Sequence, residues 1–158
     1  MQIEIKKKLS RKELKDIFIM WEDEYPIPII HTDEIRFQNH LNTYKNPSHF
    51  IIRDSRQEDI AGWLMVFDRE SKTNFVMIVR SSYQHRGIGT VLLNAAKKKY
   101  AQLYGWVIDH NKFKKKNGNS YLSPLMFYKK NSFCINKDER IEEISAVMIV
   151  WQRNIQNR

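Results

Sequence analysis

A glycine-containing turn between an apolar strand and an amphipathic helix, in the middle of the chain, constrains the fold most. The segment NFVMIVRS (Asn74–Ser81) predicts a strand, and the residues from Ile88 to Tyr104 place their apolar side chains on one helical face. Gly105 suits the end of that helix, and WVIDH (Trp106–His110) predicts a short buried strand. Strand, helix and strand in this order form a right-handed crossover, so we expect the two strands to be parallel.

The amino-terminal part of the chain predicts one strand followed by two helices. The segment QIEIKKKL alternates at its start, as a strand does. Ser10 can cap the first helix, with Glu13 completing a capping box, and Pro26 ends that helix. Thr32 or Asp33 can cap the second helix, which ends before KNPS.

Two strands precede the central crossover and further elements follow it. His49–Asp54 and Ile60–Glu70 are separated by the polar SRQED, which indicates a hairpin, and together with Asn74–Ser81 they predict an antiparallel meander. After the crossover come a short helix in SPLMFYKKNSF, a further strand near Phe133–Ile135 and a final strand, ISAVMIVWQR. We therefore expect one α/β (α+β) domain over residues 1–158, with a mixed central sheet of six to seven strands flanked by about four helices.

Composition narrows the class of protein. The 158 residues carry a formal net charge of +9, which suits an anionic partner or serves only for solubility. The single cysteine, Cys134, excludes a disulfide framework, and its position between Phe133 and Ile135 predicts a small core residue. MQIEIKKKLSRKEL lacks the features of a signal peptide, and no segment approaches the roughly eighteen apolar residues of a membrane span. We expect a cytoplasmic protein without a membrane partner.

The glycine pair of the central turn is compatible with three kinds of phosphate-binding loop. The dinucleotide pattern G-x-G-x-x-G needs a third glycine where the chain has Leu92, although Asp109 follows at a suitable distance. The nucleotide P-loop needs a lysine after its last glycine, and here Thr90 follows Gly89 directly. The third pattern, Q/R-x-x-G-x-G/A, is matched fully by Gln84, Gly87 and Gly89.

The third pattern has a physical basis as a pyrophosphate cradle. Amides at the start of a helix have no partner within the helix, and the helix dipole makes that end partly positive. Glycine lets the backbone approach an anion closely, and Arg86 adds a charge that can pair with phosphate. A plain strand-to-helix turn also favours glycine, so the pattern gains weight from its position after a strand and before a helix.

A second motif follows about forty residues later, and with it the chain resembles the GNAT superfamily of N-acetyltransferases. In that family Q/R-x-x-G-x-G/A binds the pyrophosphate of acetyl-CoA, and a later helix carries a tyrosine in a pattern of the form lYeklGF. The corresponding segment here is Phe127–Phe133, in which Ser132 stands where the family usually has glycine. The resemblance implies the GNAT acyltransferase fold, and the order of elements predicted above is also the family's order.

The resemblance further implies a reaction and its site. Acetyl-CoA would lie between the splayed strands Asn74–Ser81 and Trp106–His110, where a strand bulge frees a backbone amide near Val79 to polarise the thioester carbonyl. An amine would attack directly through a tetrahedral intermediate, and Tyr128 would act as general acid toward the leaving sulfur. The implied cofactor contacts are Val79, Gln84, His85, Arg86, Gly87, Ile88, Gly89, Thr90, Asn111 and Ser123.

The general base is left open by the sequence, because NFVMIVRS contains no carboxylate. Candidates are Asp109 and His110 at the end of the next strand, Asp68 and Glu70 on the preceding strand, and Glu24 after the first helix. A chain of water molecules to solvent is an equal alternative.

Acceptor specificity in the family comes largely from the first two helices and the loop between them. The corresponding segment here, WEDEYPIPIIHTDE, is acidic and aromatic, which predicts a cationic primary amine on a small molecule or a peptide terminus. The basic loop NKFKKKNGNS could reach the 3′-phosphate of CoA or an acidic acceptor, or lie solvated; its lysines are Lys112, Lys114, Lys115 and Lys116.

Two other functions remain as alternatives. A GNAT-fold protein could bind acyl-CoA as a sensor or partner without catalysis. A basic nucleic-acid-binding module would suit the charge, but the sequence has no zinc spacing, helix-turn-helix pattern or RNA-recognition motif, so we expect no nucleic acid. The five histidines show no metal spacing, so we also expect no metal. The expected assembly is a monomer or homodimer.

Overall fold

The chain folds as a seven-stranded mixed sheet with helices on both faces, as the sequence predicts. The computed structural model describes residues 2–31, 33–56 and 58–154. The spatial order of the strands is β1-β2-β3-β4-β5-β7-β6. The strands are β1 (Ile3–Lys6), β2 (Lys45–Arg53), β3 (Ile60–Arg69), β4 (Lys72–Val79), β5 (Gln102–Ile108), β6 (Cys134–Ile141) and β7 (Ala146–Gln152). The helices are α1 (Arg11–Glu24), α2 (Glu34–Leu41), α3 (Ile88–Lys99) and α4 (Leu125–Lys130).

Strand β3 shows how one sheet supports two hydrophobic cores. Successive side chains of a strand point to opposite faces. Leu64 and Val66 pack in a cluster with residues of α3 and α4. Trp63 and Met65 belong to the other cluster, with residues of α1 and α2. The sheet is therefore covered by α1 and α2 on one face and by α3 and α4 on the other. Its central strands lie between these two layers of helices.

The two amino-terminal helices begin where the capping residues predict. The Ser10 side chain accepts a hydrogen bond from the Glu13 amide, and the Glu13 carboxylate accepts one from the Ser10 amide, which completes the capping box of α1. Asp33 caps α2 through the amide of Ile35. The alternative cap, Thr32, lies outside the described residues.

A buried carboxylate anchors α1 to the edge of the sheet. Glu13 is only 4% exposed, and it accepts hydrogen bonds from Lys6 on β1, at 2.8 Å, and from Arg53 on β2. Burial alone raises the pKa of Glu13, but the hydrogen bonds from Lys6 and Ser10 outweigh it and lower the pKa to about 2. One charged side chain thus caps α1 and joins that helix to two strands.

The parallel strands β4 and β5 separate soon after they meet, as the resemblance implies. Among the described residues their only registered pair is Asn74 with Tyr104. The ring of Phe75 lies against Gly105, where an added Cβ would come within 2.8 Å of the ring. Beyond this point the edges of the two strands face an opening in the middle of the sheet.

The boundaries of several elements differ from the sequence prediction, most of all those of α3, β5 and β2. Helix α3 ends at Lys99 rather than Tyr104, because Tyr100 is extended and Leu103 is fully buried in strand β5. Gly105 therefore does not end the helix but lies inside β5, where only glycine leaves room for the ring of Phe75. Strand β2 begins at Lys45, four residues before the predicted start.

The prediction that Cys134 is a core residue is wrong. Cys134 is the first residue of β6, an edge strand, and it is exposed, whereas the preceding Phe133 is buried. Alternation along the strand sends neighbouring side chains to opposite sides. Within the described part of the chain, no helix is long and apolar enough to cross a membrane.

The Glu13 anchor predicts a stability change that depends on pH. We expect Glu13→Gln to lower the free energy of unfolding at pH 7 by about 3 kcal/mol, the equivalent of a pKa shift from 4.5 to about 2. Because the folded-state pKa is lowered, the difference is complete above pH 4.5 and disappears as the pH falls toward 2. Urea unfolding of both proteins between pH 7 and pH 2 measures it, and a constant difference across this range would contradict the account.

Candidate active site

The start of α3 forms an anion cradle in front of unpaired backbone amides. Gly87 is the N-cap residue, with a left-handed φ of 81°. The first backbone hydrogen bond of the helix runs from the amide of Val91 to the carbonyl of Gly87, at 3.0 Å. The amides of Ile88, Gly89 and Thr90 come before it and therefore have no carbonyl partner within the helix. A Cβ added at Gly87 would meet nothing within 4 Å. The space in front of these amides is therefore open, which fits an approaching pyrophosphate.

The second glycine of the cradle has a packing role. A Cβ at Gly89 would lie 2.8 Å from the Phe127 ring of α4 and 3.4 Å from the methyl group of Met77 on β4. The first turn of α3 thus fits closely between α4 and β4. The two glycines serve different purposes, since Gly87 keeps the surface open and Gly89 permits close packing.

The polar residues before the helix lie at the surface of the cradle. Gln84 donates a side-chain hydrogen bond to the carbonyl of Val79, at 3.0 Å, and so joins the turn to the end of β4. His85 is exposed and has a φ of 64°. The guanidinium of Arg86 lies over the ring of Tyr83, 5.5 Å from its centre, and remains exposed. An exposed cation thus lies near the helix start, where it can pair with an anion.

Every second residue of β4 directs its backbone N–H and C=O groups toward the opening beside this strand. Tyr25 donates to the carbonyl of Met77, and Gln84 to that of Val79, while the amide of Arg80 donates to Ala61 of β3. Because an antiparallel strand alternates the side to which its backbone groups point, Met77 and Val79 direct theirs away from β3. The Val79 amide therefore faces the opening left by β5.

The Val79 amide faces the opening, but the structural cause differs from the one that we expected. We expected a bulge in this strand, but the described residues of β4 pair with β3 in continuous register from Lys72 to Val79. The early departure of β5 after the pair Asn74–Tyr104 leaves the amide without a neighbouring strand instead.

Three tyrosines with raised hydroxyl pKa values come from separate elements. Tyr25 follows α1, Tyr121 lies in the loop after β5, and Tyr128 is in α4. Burial raises the pKa of all three hydroxyl groups, that of Tyr121 to about 12. Electrostatic interaction with Tyr121 and Tyr128 raises the pKa of Tyr25 further. These phenols therefore stay protonated at neutral pH.

The sequence-predicted Tyr128 lies in an aromatic pocket beside the cradle. Its ring makes edge contacts with Phe75, Phe127 and Phe133, at 5.2 to 5.8 Å between ring centres. Tyr128 is buried together with Phe75 and Phe133. Phe127 also contacts Gly89, so one aromatic cluster sets the position of both Tyr128 and the start of α3.

The sequence-predicted Asn111 and Ser123 are joined to each other at the start of α4. The amide of Ser123 donates to the side-chain oxygen of Asn111, at 2.7 Å. The Ser123 hydroxyl donates to the carbonyl of Ile108 and accepts from the amide of Leu125. These bonds attach the first turn of α4 to the end of β5, so that the longer loop between them leaves the position of the helix fixed.

Four of the candidate bases have other partners or lie far from Val79. Asp109 forms an ion pair with Arg140 at 2.7 Å, and this hydrogen bond lowers the pKa of its carboxyl group. The Nδ1 atom of His110 accepts from the amide of Lys112 at 3.0 Å. Asp68, which lies opposite Thr73, and the nearby Glu70 are at the other end of β4, and the six strand steps from Thr73 to Val79 span roughly 20 Å.

The fifth candidate base, Glu24, lies at the carboxyl end of β4. Its carboxylate accepts hydrogen bonds from the amide of Ser81, at 2.8 Å, and from the Ser81 hydroxyl. Lys115 approaches the same carboxylate to 3.4 Å. The structure thus brings together Glu24, Ser81 and Lys115 two residues beyond Val79.

The basic loop contacts the acidic end of α1 through Lys115 and Lys116, while Lys112, Lys114 and Lys116 stay exposed to solvent. Lys115 pairs with Glu24, and Lys116 approaches Glu22 to 3.5 Å. The backbone carbonyl of Lys114 accepts from the amide of Ile27 at 2.9 Å. Sequence reasoning missed this pairing as well as the roles of Ser81 and Tyr121, although the opposite charges of the two segments were visible.

Comparisons with known proteins agree with this geometry. The family model for the acetyltransferase (GNAT) family matches residues 14–113, and the chain belongs to that family. A comparison with curated proteins gives no match.

Solved structures of acetyltransferases share the fold. An aminoglycoside 6′-N-acetyltransferase complexed with coenzyme A superposes with a TM-score of 0.68, at 14% identity, over 96% of this chain and 97% of that one. A phosphinothricin acetyltransferase from Sinorhizobium meliloti in complex with AcCoA gives 0.65, at 10% identity, over 97% and 89%. The ribosomal-protein-S18-alanine N-acetyltransferase from Escherichia coli gives 0.61, at 13% identity, over 96% and 94%. At these identities the similarity concerns the fold.

The cradle predicts that a single methyl group at Gly87 reduces acetyl-CoA binding. We expect Gly87→Ala to weaken acetyl-CoA binding about tenfold by calorimetry, because a side chain at a φ of 81° strains the backbone by about 1 kcal/mol and shifts the amides that follow it. Gly118→Ala is the matched control, since Gly118 has a φ of 89° and equally open surroundings but lies in the basic loop. Equal losses of acetyl-CoA affinity in both variants would contradict the cradle.

Proposed function

We propose that the protein transfers the acetyl group of acetyl-CoA to a primary amine by direct attack of the amine on the thioester. One observation carries the proposal. The open start of α3 and the Val79 amide, which points away from β3, both adjoin the gap between β4 and β5. The cradle suits the pyrophosphate, and the gap suits the thioester end of the same molecule. Acetyl-CoA supplies the acetyl group in activated form.

The backbone at the start of α3 holds the pyrophosphate in this proposal. The amides of Ile88, Gly89 and Thr90 point toward the anion, and the helix dipole adds favourable charge. Arg86 reaches over the exposed side of the phosphates. Its contact with the ring of Tyr83 limits where the guanidinium can lie before binding.

Two groups act on the thioester itself. The amide of Val79 donates a hydrogen bond to the carbonyl oxygen and stabilises the negative charge that develops there during attack. Tyr128 donates its phenolic hydrogen toward the leaving sulfur. Because burial raises the pKa of Tyr128, the phenol stays protonated throughout the working range of pH.

The acceptor enters in this proposal from the side of α1. Glu22 and Glu24 lie on this side, each paired with a lysine of the basic loop, and the Tyr25 hydroxyl donates to the Met77 carbonyl beside them. A carboxylate attracts a cationic amine. The amine then gives one proton to water before it attacks the thioester carbon and a second as the amide forms; the carbon–sulfur bond breaks, the sulfur takes a proton from Tyr128, and Tyr128 regains one from water. A small-molecule amine or a peptide terminus meets this requirement.

Acetyl-CoA binding followed by an amine panel tests the proposal. We expect acetyl-CoA to raise the melting temperature by several degrees at concentrations far above Kd. Primary amines that are cationic at pH 7.5 should then give thiol release, while neutral amides and anionic acceptors should not. Stabilisation without transfer to any amine would indicate a sensor, and an absence of stabilisation would reject acetyl-CoA as the co-substrate.

The role of Tyr128 predicts a loss in kcat rather than in binding. We expect Tyr128→Phe to lower kcat about 100-fold, the lower range for loss of a general acid, with the KM for acetyl-CoA changed less than about twofold. Tyr104→Phe is the control, because the Tyr104 hydroxyl donates to the side chain of Gln102 on its own strand.

The raised pKa of Tyr128 also predicts the pH profile. Deprotonation of this phenol should produce no fall in kcat below pH 10 in the wild-type protein. Unchanged kcat in Tyr128→Phe would remove the residue from the mechanism.

A further inference from the structure

A lysine of the protein's own chain lies beside the proposed acceptor entrance. The ammonium group of Lys115 is 3.4 Å from the Glu24 carboxylate and 3.4 Å from the Ser81 hydroxyl. The side chains of Lys115 and Glu24 are only 17% and 12% exposed, so the pair is largely enclosed. The mechanism proposed above gives this lysine no role.

The loop that carries Lys115 is held in place independently of that side chain. We call residues 111–121 the strap. Its backbone bonds to the segment after α1 through Lys114 and Ile27, and it closes on itself through the amide of Lys115 and the carbonyl of Asn119, at 2.8 Å. The amide of Tyr121 donates to the carbonyl of Phe113 at 2.8 Å. The position of Lys115 therefore follows from the backbone of the strap.

The partners of Lys115 form a receptor for a primary ammonium group. A carboxylate and a hydroxyl oxygen accept two of the three hydrogens of such a group and balance its charge. Ser81 follows Val79 by two residues, so their Cα atoms are at most about 7 Å apart. An ammonium group held here lies next to the place where the Val79 amide would hold the thioester carbonyl.

We propose that Glu24 and Ser81 form the binding subsite for the acceptor's ammonium group, and that Lys115 occupies this subsite until an acceptor displaces it. The inference rests on the proposed function, since it deepens the acceptor side of the same site. The ligand class is an unhindered primary ammonium on an extended alkyl chain, because the lysine side chain that fills the subsite has this form. Branched, secondary or neutral amines match it poorly.

Occupation by Lys115 has a measurable consequence for affinity. A ligand binds only the fraction of molecules in which the subsite is vacant, so its apparent Kd rises by the inverse of that fraction. Removing the lysine charge should therefore strengthen the binding of an alkylammonium ligand. Removing the charge of Lys116 should not, although Lys116 lies on the same strap and pairs with Glu22 on the same helix.

Calorimetric titration with 1,5-diaminopentane tests this inference on the full chain. We compare wild type, Lys115→Met, Lys116→Met, Ser81→Ala and the double variant Lys115→Met with Glu24→Gln, each with and without saturating CoA. The Kd for Lys115→Met should be about tenfold lower than for wild type. Lys116→Met should stay within about twofold of wild type, Ser81→Ala should bind more weakly than wild type, and the double variant should lose the gain.

The outcomes separate this inference from the proposed function. Equal Kd values for wild type and Lys115→Met overturn it, as does an equal gain in Lys116→Met, which would be a general effect of charge. No measurable diamine binding to a Lys115→Met protein with wild-type melting temperature overturns it as well. CoA binding is measured first in the same experiment, and an absence of CoA binding would count against the proposed function. The diamine titrations without CoA would still show whether Lys115 occupies the subsite.

Discussion

The separation of β4 and β5 after one registered pair, Asn74 with Tyr104, is the constraint on which the site depends. Up to that pair the sheet is continuous, and beyond it no described strand pairs with β4 on that side. Every unpaired amide inside a protein needs an acceptor, so a ligand carbonyl can take the place of a strand. In the proposed function the same gap receives acetyl-CoA between two halves of the sheet that are each well packed.

The packing around the gap links the cradle to the chemistry. Phe75 lies against Gly105 at the point of separation and contacts Tyr128, while Phe127 of the same helix contacts Gly89 at the start of α3. A change in this aromatic cluster would move the cradle, the tyrosine and the strand separation together. The opposite side of the gap is built differently, from charged groups of α1 and the strap, which can exchange partners more easily than close-packed rings.

Most of the fold and the cofactor side of the site were predictable from the sequence, because they depend on local signals. The capping box of Ser10 and Glu13, the pattern from Gln84 to Gly89 and the proline after α1 each act over a few residues. The end of α3 was not predictable in this way, since Leu103 favours a helix locally and joins β5 only through burial in the core. The acceptor side depends on residues far apart in sequence, such as Glu24 and Lys115, and a single sequence does not show which charges meet.

An NMR titration of the ¹⁵N-labelled protein with acetyl-CoA tests the central claim most directly, because it reports on individual backbone amides. The account predicts large shifts for the amides of Val79, Ile88, Gly89 and Thr90, with small shifts along β1 and β2. Shifts that avoid Val79 and the first turn of α3 would contradict it, and would place the binding of acetyl-CoA elsewhere on the protein.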